Sequence, residues 1–343
     1  MRQLGAATIL LLFTFKPDSL RASPDSGPQR LAALMSAKAP EIAAMKAGLA
    51  AGQSRREWTH LRAQIDAAAH QKDAAWSGLY WYTSLPEALA AAKREGKPVL
   101  SLRLLGHLDE ELSCANSRFF RTVLYANEEI SKELRENWIL HWESVRAAPK
   151  ITIDYGDGRV LTRTITGNSL HYVLDAEGRA VDVLPGLWEP AEFLRSVREA
   201  RGVAPPPAES RAFRPFPLDS NSLLLMRAKA PRLDDAAFER MAMTFQRTLA
   251  QDTARNKSLR RQILPWLAEA GSLSGLTDRI YRDAFLTPRS DPWLGLLPAD
   301  VYSAIEGEPP GVAGPDARAA GILAPSKLAI QRPLLPSVVP AVR

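Results

Sequence analysis

Lys97-Pro-Val-Leu-Ser-Leu-Arg-Leu-Leu-Gly-His107 is the stretch on which the reading of this chain turns. Val99 to Leu105 is nearly continuous in apolar residues, which predicts a strand buried on both faces. Immediately before it, Leu85-Pro-Glu-Ala-Leu-Ala-Ala-Ala-Lys-Arg-Glu95 predicts a helix. Ser84 stands at its N-cap, Pro86 in its first turn and Gly96 at its end, each residue type suited to that position. Immediately after the strand, Asp109-Glu-Glu-Leu-Ser-Cys114-Ala-Asn-Ser-Arg-Phe-Phe-Arg121 reads as a loop opening a helix. Cys114 is the chain's single cysteine.

Working outward, Phe119 to Asn137 is amphipathic, with Phe120, Val123, Leu124, Ile130 and Leu134 on one face, and predicts a long helix. Trp138 to Trp142 predicts a second strand. Ile151 to Ile165 predicts a hairpin turning at Gly156-Asp157-Gly158, and His171 to Leu184 another turning at Asp175-Ala-Glu-Gly178, because these turn residues accept positive φ. A helix from about Pro190 to Ala200 closes the unit. Residues 76–201 are therefore expected to form one α/β domain: a central mixed sheet with flanking helices.

That order resembles the thioredoxin-like superfamily, in particular bacterial thioredoxin-related domains. Glu87-Ala-Leu-Ala-Ala-Ala-Lys-Arg-Glu-Gly-Lys-Pro-Val-Leu100, Asn127-Glu-Glu-Ile-Ser-Lys-Glu-Leu-Arg-Glu-Asn-Trp-Ile139, Val173-Leu-Asp-Ala-Glu-Gly-Arg179 and Pro185-Gly186 carry the likeness. It covers about a third of the chain, and the specificity lies in order and spacing more than in any one motif. The resemblance implies a Cys-x-x-Cys after the first strand and a cis-proline just before Val173. The chain has neither: one thiol, Cys114, follows the strand, and Thr166-Gly-Asn-Ser-Leu170 stands in the proline's place. A dithiol exchange cycle needs a second thiol to resolve the mixed disulfide, so the resemblance implies the fold more firmly than the activity.

Two functions remain in view. In the first, Cys114 acts alone in thiol redox chemistry or redox sensing, with a thiol substrate or protein partner. A helix N-terminus favours thiolate, and Arg118, with Arg121 a turn beyond, would add to that, while Asp109, Glu110 and Glu111 oppose it. In that fold Asn168 and Ser169 lie beside Cys114, where they would bond a thiolate or a peptide backbone, or simply close a turn. In the second, the domain is a non-catalytic scaffold that binds a protein partner, and Cys114 is a small buried residue. His107 with Asp109, Glu111 and Cys114 matches no standard zinc spacing, so neither metal nor cofactor is expected. His141 and His171 on strands read as core. Trp76, Tyr80, Trp81 and Tyr82 read as packing between the helical N-region and the sheet, with a peptide-binding surface as the sharper alternative.

The remaining regions frame this domain. The chain has 343 residues and a formal net charge of +6. With no long Lys/Arg block and no aromatic-interleaved basic patch, nothing argues for nucleic acid. Residues 1–22 have a positive start, a short apolar run and a small-residue exit, and are expected to be a signal peptide leading to a periplasmic or secreted protein. The run is short for a bilayer, so no membrane span is expected after cleavage. Residues 29–75 predict two or three helices, 202–217 a Pro-rich linker, 218–305 a helical C-region and 306–343 a disordered tail. Within 218–305, Phe238, Met241, Phe245 and Leu249 share one helix face, whereas Asp252, Arg255, Asn256, Arg260 and Arg261 form a polar stripe expected to face solvent. Asp291-Pro-Trp-Leu-Gly-Leu296 is expected to dock on the helices or on a partner.

Overall fold

The computed structural model describes residues 26–164, 167–203 and 218–291. The expected signal peptide, most of the linker, all but Asp291 of the Asp291–Leu296 docking segment, the rest of the helical C-region and the tail lie outside these residues. No described helix is long and apolar enough to cross a membrane.

The chain is α/β, built on a mixed four-stranded sheet. Strand β1 (Val99–Leu105) is its centre and is buried along its whole length. It pairs in parallel with β2 (Ile139–Arg146) and antiparallel with β5 (Leu170–Leu174), which pairs antiparallel with β6 (Ala180–Pro185). The order across the sheet is β2-β1-β5-β6. A second, two-stranded sheet is formed by β3 (Lys150–Asp154) and β4 (Val160–Thr164). Both expected hairpins are present, each turning at a positive-φ glycine.

Helices α1 (Ser26–Ala37), α2 (Ala39–Ala50) and α3 (Arg56–Ala69) precede the sheet. They close a small core of their own around Leu31, Met45, Trp58, Ile65 and Trp76, into which Leu225 of the C-terminal region inserts. Helix α4 (Leu85–Glu95) carries Pro86 in its first turn and ends at Gly96 in the left-handed region, φ 64°. The Ser84 side chain makes no capping bond, so position and proline, rather than a hydroxyl, start this helix.

The long helix expected over Phe119–Asn137 is broken. Helix α5 (Ala115–Phe119) runs into a π turn over Phe120–Leu124, and α6 (Glu128–Asn137) starts afresh. Asn127 Oδ1 accepts the Ile130 N–H at 3.0 Å, and Glu128 and Glu129 fill the first turn of α6. An N-cap with acids behind it stabilises a new helix start, and this outweighs the continuity of the apolar stripe. The break lets Tyr125 turn into the core, where its hydroxyl meets His171 Nε2 at 2.7 Å.

After β6 come α7 (Pro190–Ala200), α8 (Ser220–Lys229), α9 (Asp235–Glu269) and α10 (Leu273–Arg279), with a second π turn over Ile280–Ala284. Helix α9 runs as one piece of 35 residues through Pro265. The C-terminal helices share the sheet's core: Phe245, Leu249, Ile263, Leu276, Tyr281 and Phe285 are buried in the same cluster as β1. Part of the polar stripe on α9 does not face solvent as expected. Arg260 holds Asp182 of β6 through both carboxylate oxygens, Asn256 donates to the Leu187 carbonyl at 2.8 Å, and Thr253 Oγ1 accepts the Glu189 N–H at 2.7 Å. These residues lie on the same side as Phe245 and Leu249, at helical spacing, and satisfy backbone groups of the β6–α7 loop that α9 covers.

One buried charge ties the layers together. Asp73, at φ 62° between α3 and the sheet, is buried. It pairs with Arg62 of α3 at 3.0 Å, Lys229 of α8 at 2.8 Å and Arg121 of the π turn at 3.9 Å. Burial pushes its carboxyl up, but the three cations together hold it at about 2. Its pairing therefore contributes stability above the ordinary carboxylate range, and that stability is lost as pH falls through about 2. Asp73→Asn keeps a residue that tolerates left-handed backbone and strands buried Arg121. It is expected to lower the unfolding free energy at neutral pH by about 3 kcal/mol, read as a lower denaturant midpoint at unchanged slope.

Candidate functional site

Cys114 lies where β1 hands the chain to α5. Gly106, at φ 73°, turns the chain in a space where an added Cβ would meet Ala148 and the Ser113 backbone at 3.3 Å. The loop returns so that the Cys114 N–H bonds the Leu105 carbonyl at 3.0 Å. Cys114 is the N-cap of α5, and its Sγ accepts the Ser117 N–H at 3.4 Å. The thiol is fully buried.

The two arginines of the expected site part company. Arg118 is half-buried, and burial lowers its pKa while Cys114 lies close enough to act on its charge. Arg121 is committed elsewhere. Its guanidinium donates to the Glu110 and Glu111 carbonyls and to Ser113 Oγ while it pairs with Asp73. It clamps the acidic loop and is not free to serve the thiol. The side chains of Asp109, Glu110 and Glu111 are exposed.

Asn168 and Ser169 arrive on the segment entering β5, with Gly167 pressed on the start of α5. A Cβ at Gly167 would stand 2.7 Å from Asn116 Oδ1 and 3.2 Å from Ala115 Cβ. The segment thus lies beside the Cys114 loop. Its polar groups, however, are taken by the C-terminal region. Asn168 Nδ2 donates to Thr287 Oγ1 at 2.7 Å, and the Asn168 carbonyl accepts the Tyr281 hydroxyl at 2.9 Å. The Ser169 carbonyl accepts the Gly186 N–H at 2.8 Å, while its Oγ is buried without a partner. Among the described residues the hydrogen-bond partner of the thiol is Ser117, not Asn168 or Ser169. No cis peptide occurs among them.

Tyr281 and Thr287 were not foreseen. They belong to residues 280–291, a strap across this end of the sheet. Tyr281 and Thr287 are fully buried and Phe285 nearly so. Burial drives the Tyr281 phenol far above its ordinary pKa, and the nearby Cys114 adds to that shift. Leu286 sits at φ 56°, a left-handed conformation that costs a leucine about 1–2 kcal/mol. The strap's far end is pinned where Arg146 at the end of β2 donates to the Arg289 and Asp291 carbonyls.

The sequence also passed over a polar network in the sheet. Ser101 and Arg103 share one face of β1, and the parallel register sets His141 and Glu143 beside them. Arg103 donates to Ser101 Oγ at 2.8 Å and pairs with Glu143 at 3.0 Å, and the serine hydroxyl shares a hydrogen bond with His141 Nδ1 at 2.8 Å. A Ser–His contact is the arrangement of an activated nucleophile, but Ser101 is fully buried in mid-strand and no substrate reaches it. The network ties β1 to β2. The alternation of Ser101 and Arg103 in an apolar strand was the available signal.

Among the described residues, no three His, Cys, Asp or Glu side chains converge to hold a metal ion. His107 and Glu110 meet on the exposed loop at 3.8 Å, away from the buried thiol. An open cleft of about 590 Å³ between β2 and the strap is lined by Asp278, Arg282 and Arg289, with Asp278 and Arg289 paired at 2.8 Å. Compared with family models, curated proteins and solved structures, the chain matches none.

The two buried histidines make the fold sensitive to acid. Burial, with Arg103 for His141 and alone for His171, pulls both from 6.5 to about 3. Between those values the unfolded chain binds protons that the native state refuses, so these groups contribute stability above about 6.5 that is lost as pH falls toward 3. Asp252, raised to about 6 by burial, acts in the opposite sense, so the test is a difference between two chains. His171→Gln is expected to reduce the slope of unfolding free energy against pH, between about 6 and 4, by one proton's worth, about 1.4 kcal/mol per pH unit. Denaturant titrations across that range measure it.

Proposed function

We propose that this chain is a thioredoxin-like protein that has given up thiol exchange and serves as a scaffold for a protein partner. The thioredoxin-like reading is supported by a parallel β1–α5–α6–β2 unit followed by an antiparallel β5–β6 hairpin and the closing helix α7. The single observation that carries the scaffold reading is the full burial of Cys114, near Tyr281 of the strap that also bonds Asn168. A nucleophilic thiol works where a second sulfur can reach it, and no second cysteine exists in the chain.

A second reading, single-thiol redox sensing through Cys114, keeps one observation in its favour. The thiol caps α5 and accepts the Ser117 backbone N–H at 3.4 Å, at the turn from β1 into the helix. Arg118, Asn168 and Ser169 would then be the supporting residues, and the strap would have to open before a thiol substrate could enter.

Alkylation separates the two. With a thiol-specific reagent under native conditions, Cys114 is expected to react about a thousandfold or more slower than in the unfolded chain, as for a group reached only by local opening. Tyr281→Phe and Thr287→Val, which each remove one strap bond, are expected to speed the native reaction about three- to tenfold. A native rate close to that of the unfolded chain, with a thiolate already formed below the free-cysteine range, would overturn the scaffold reading in favour of redox.

A further inference from the structure

Among the described residues, the β3–β4 ribbon gathers exposed apolar side chains that neither reading uses. All five residues of β3 are exposed. Ile151, Ile153, Tyr155 and Val160 are each between 40% and 60% exposed. A lone two-stranded ribbon is marginal in water, and three or more strands are needed for independent stability. Natural proteins protect a free edge with bulges, prolines or inward charges. Among the described residues no strand covers the other edge of β3, which contains no proline, pairs with β4 without a register shift, and carries as its edge charges Lys150 and Asp154, of opposite sign.

Which groups the free edge offers follows from the ladder. Tyr155 N–H bonds the Arg159 carbonyl at 3.0 Å. Because hydrogen-bonded and non-hydrogen-bonded pairs alternate along an antiparallel ladder, Ile153 and Ile151 also bond toward β4. Lys150, Thr152 and Asp154 then turn their N–H and C=O groups outward. The non-bonded character of the Thr152 pair agrees, since its Oγ1 reaches Thr162 Oγ1 across the ladder at 3.2 Å.

The order Lys150-Ile-Thr-Ile-Asp154 is complementary to itself when run antiparallel about Thr152. Thr152 meets Thr152, Lys150 meets Asp154 of a second copy, and Asp154 meets its Lys150. Each of these is a pair of outward-facing residues, so every edge N–H and C=O finds a partner. On the opposite face Ile151 and Ile153 meet their counterparts, with Leu161 of each β4 alongside. A parallel pairing would set like charges side by side. A one-residue slip would exchange the two faces and break the match of bonding groups.

From this we propose that the free edge of β3 is a self-recognition surface. Two copies of this chain join there about a two-fold axis, making a continuous four-stranded β4-β3-β3-β4 sheet. The contact is isologous, and its charge complementarity selects a second copy over an unrelated strand. It supplies the scaffold reading with a partner, yet rests on no property of Cys114.

Sedimentation equilibrium of the full chain at rising concentration is expected to show a reversible monomer–dimer step. Thr152→Pro, which removes an outward N–H that β4 does not use, is expected to leave a folded monomer. Lys150→Glu and Asp154→Lys each set like charges opposite one another twice in a two-fold contact, and each alone is expected to raise the dissociation constant about tenfold or more. Mixed in equal amounts, these two variants restore opposite pairs, and a heterodimer is expected. A chain that stays monomeric to high micromolar concentration overturns the proposal. So does a dimer indifferent to Thr152→Pro and to both charge changes, which would use another surface. Binding of an unrelated protein through β3 without self-association would overturn it too. A dimer of this kind with a fast-reacting thiol would sink the scaffold reading alone, and an inert thiol in a strict monomer would sink this inference alone.

Discussion

The structure depends on β1 being used on all four sides. Its two edges are bonded to β2 and β5, and both its faces are covered. A strand in that position cannot tolerate an unmatched polar group. Ser101 and Arg103 are therefore permitted only because His141, Glu143 and Tyr172 stand in register to receive them, Arg103 lying over the Tyr172 ring at 5.8 Å. The face carrying these residues is covered in part by the C-terminal region, where Tyr172 meets Thr277 of α10 at 3.1 Å. The other face receives Phe120, Tyr125 and Phe193 around His171. Segments that follow β1 in the chain, from the π turn at Phe120 to α10, are thus required by the central strand.

That requirement decides the state of the thiol. Cys114 leaves β1 at the end where the strap crosses, and the strap closes the same core that buries β1. Of the residues expected around the thiol, Asn168 is spent on Thr287 and Tyr281 and Arg121 on the loop carbonyls and Asp73, while the Ser169 hydroxyl is buried without a partner. The turn that holds Cys114 is closed by packing.

What was legible in the sequence was local or periodic. The β1 run, the helix between Pro86 and Gly96, both hairpins and the core histidines could be read because burial, caps and turn glycines act within a few residues. What was hidden depends on partners far along the chain. Asn256 and Arg260 look like solvent-facing polar residues on α9 until Leu187 and Asp182 are known to lie beneath them. Tyr281 and Thr287 carry no local mark of a role at a site more than a hundred residues away. The break at Tyr125 had a visible cap in Asn127, but the amphipathic stripe runs on across it, and the Tyr125 contact with His171, 46 residues away, carries no local mark.

The strap bears most directly on the choice between redox and scaffold. Lifting it exposes the buried side chains of Tyr281 and Phe285, at roughly 2 kcal/mol each. It also breaks the Tyr281 and Thr287 bonds to Asn168, at about 1 kcal/mol each. Relief of the left-handed Leu286 returns about 1–2 kcal/mol. The net cost is on the order of 4–5 kcal/mol, so the open form is about one molecule in a thousand or fewer. A thiol reachable at that frequency is a poor site for turnover, because every encounter is slowed by the same factor. A binding surface elsewhere on the molecule is not slowed at all, and the β3 edge needs no opening to be used. Sealing the thiol and leaving a strand edge bare are opposite treatments of two parts of one chain, and together they favour association over catalysis.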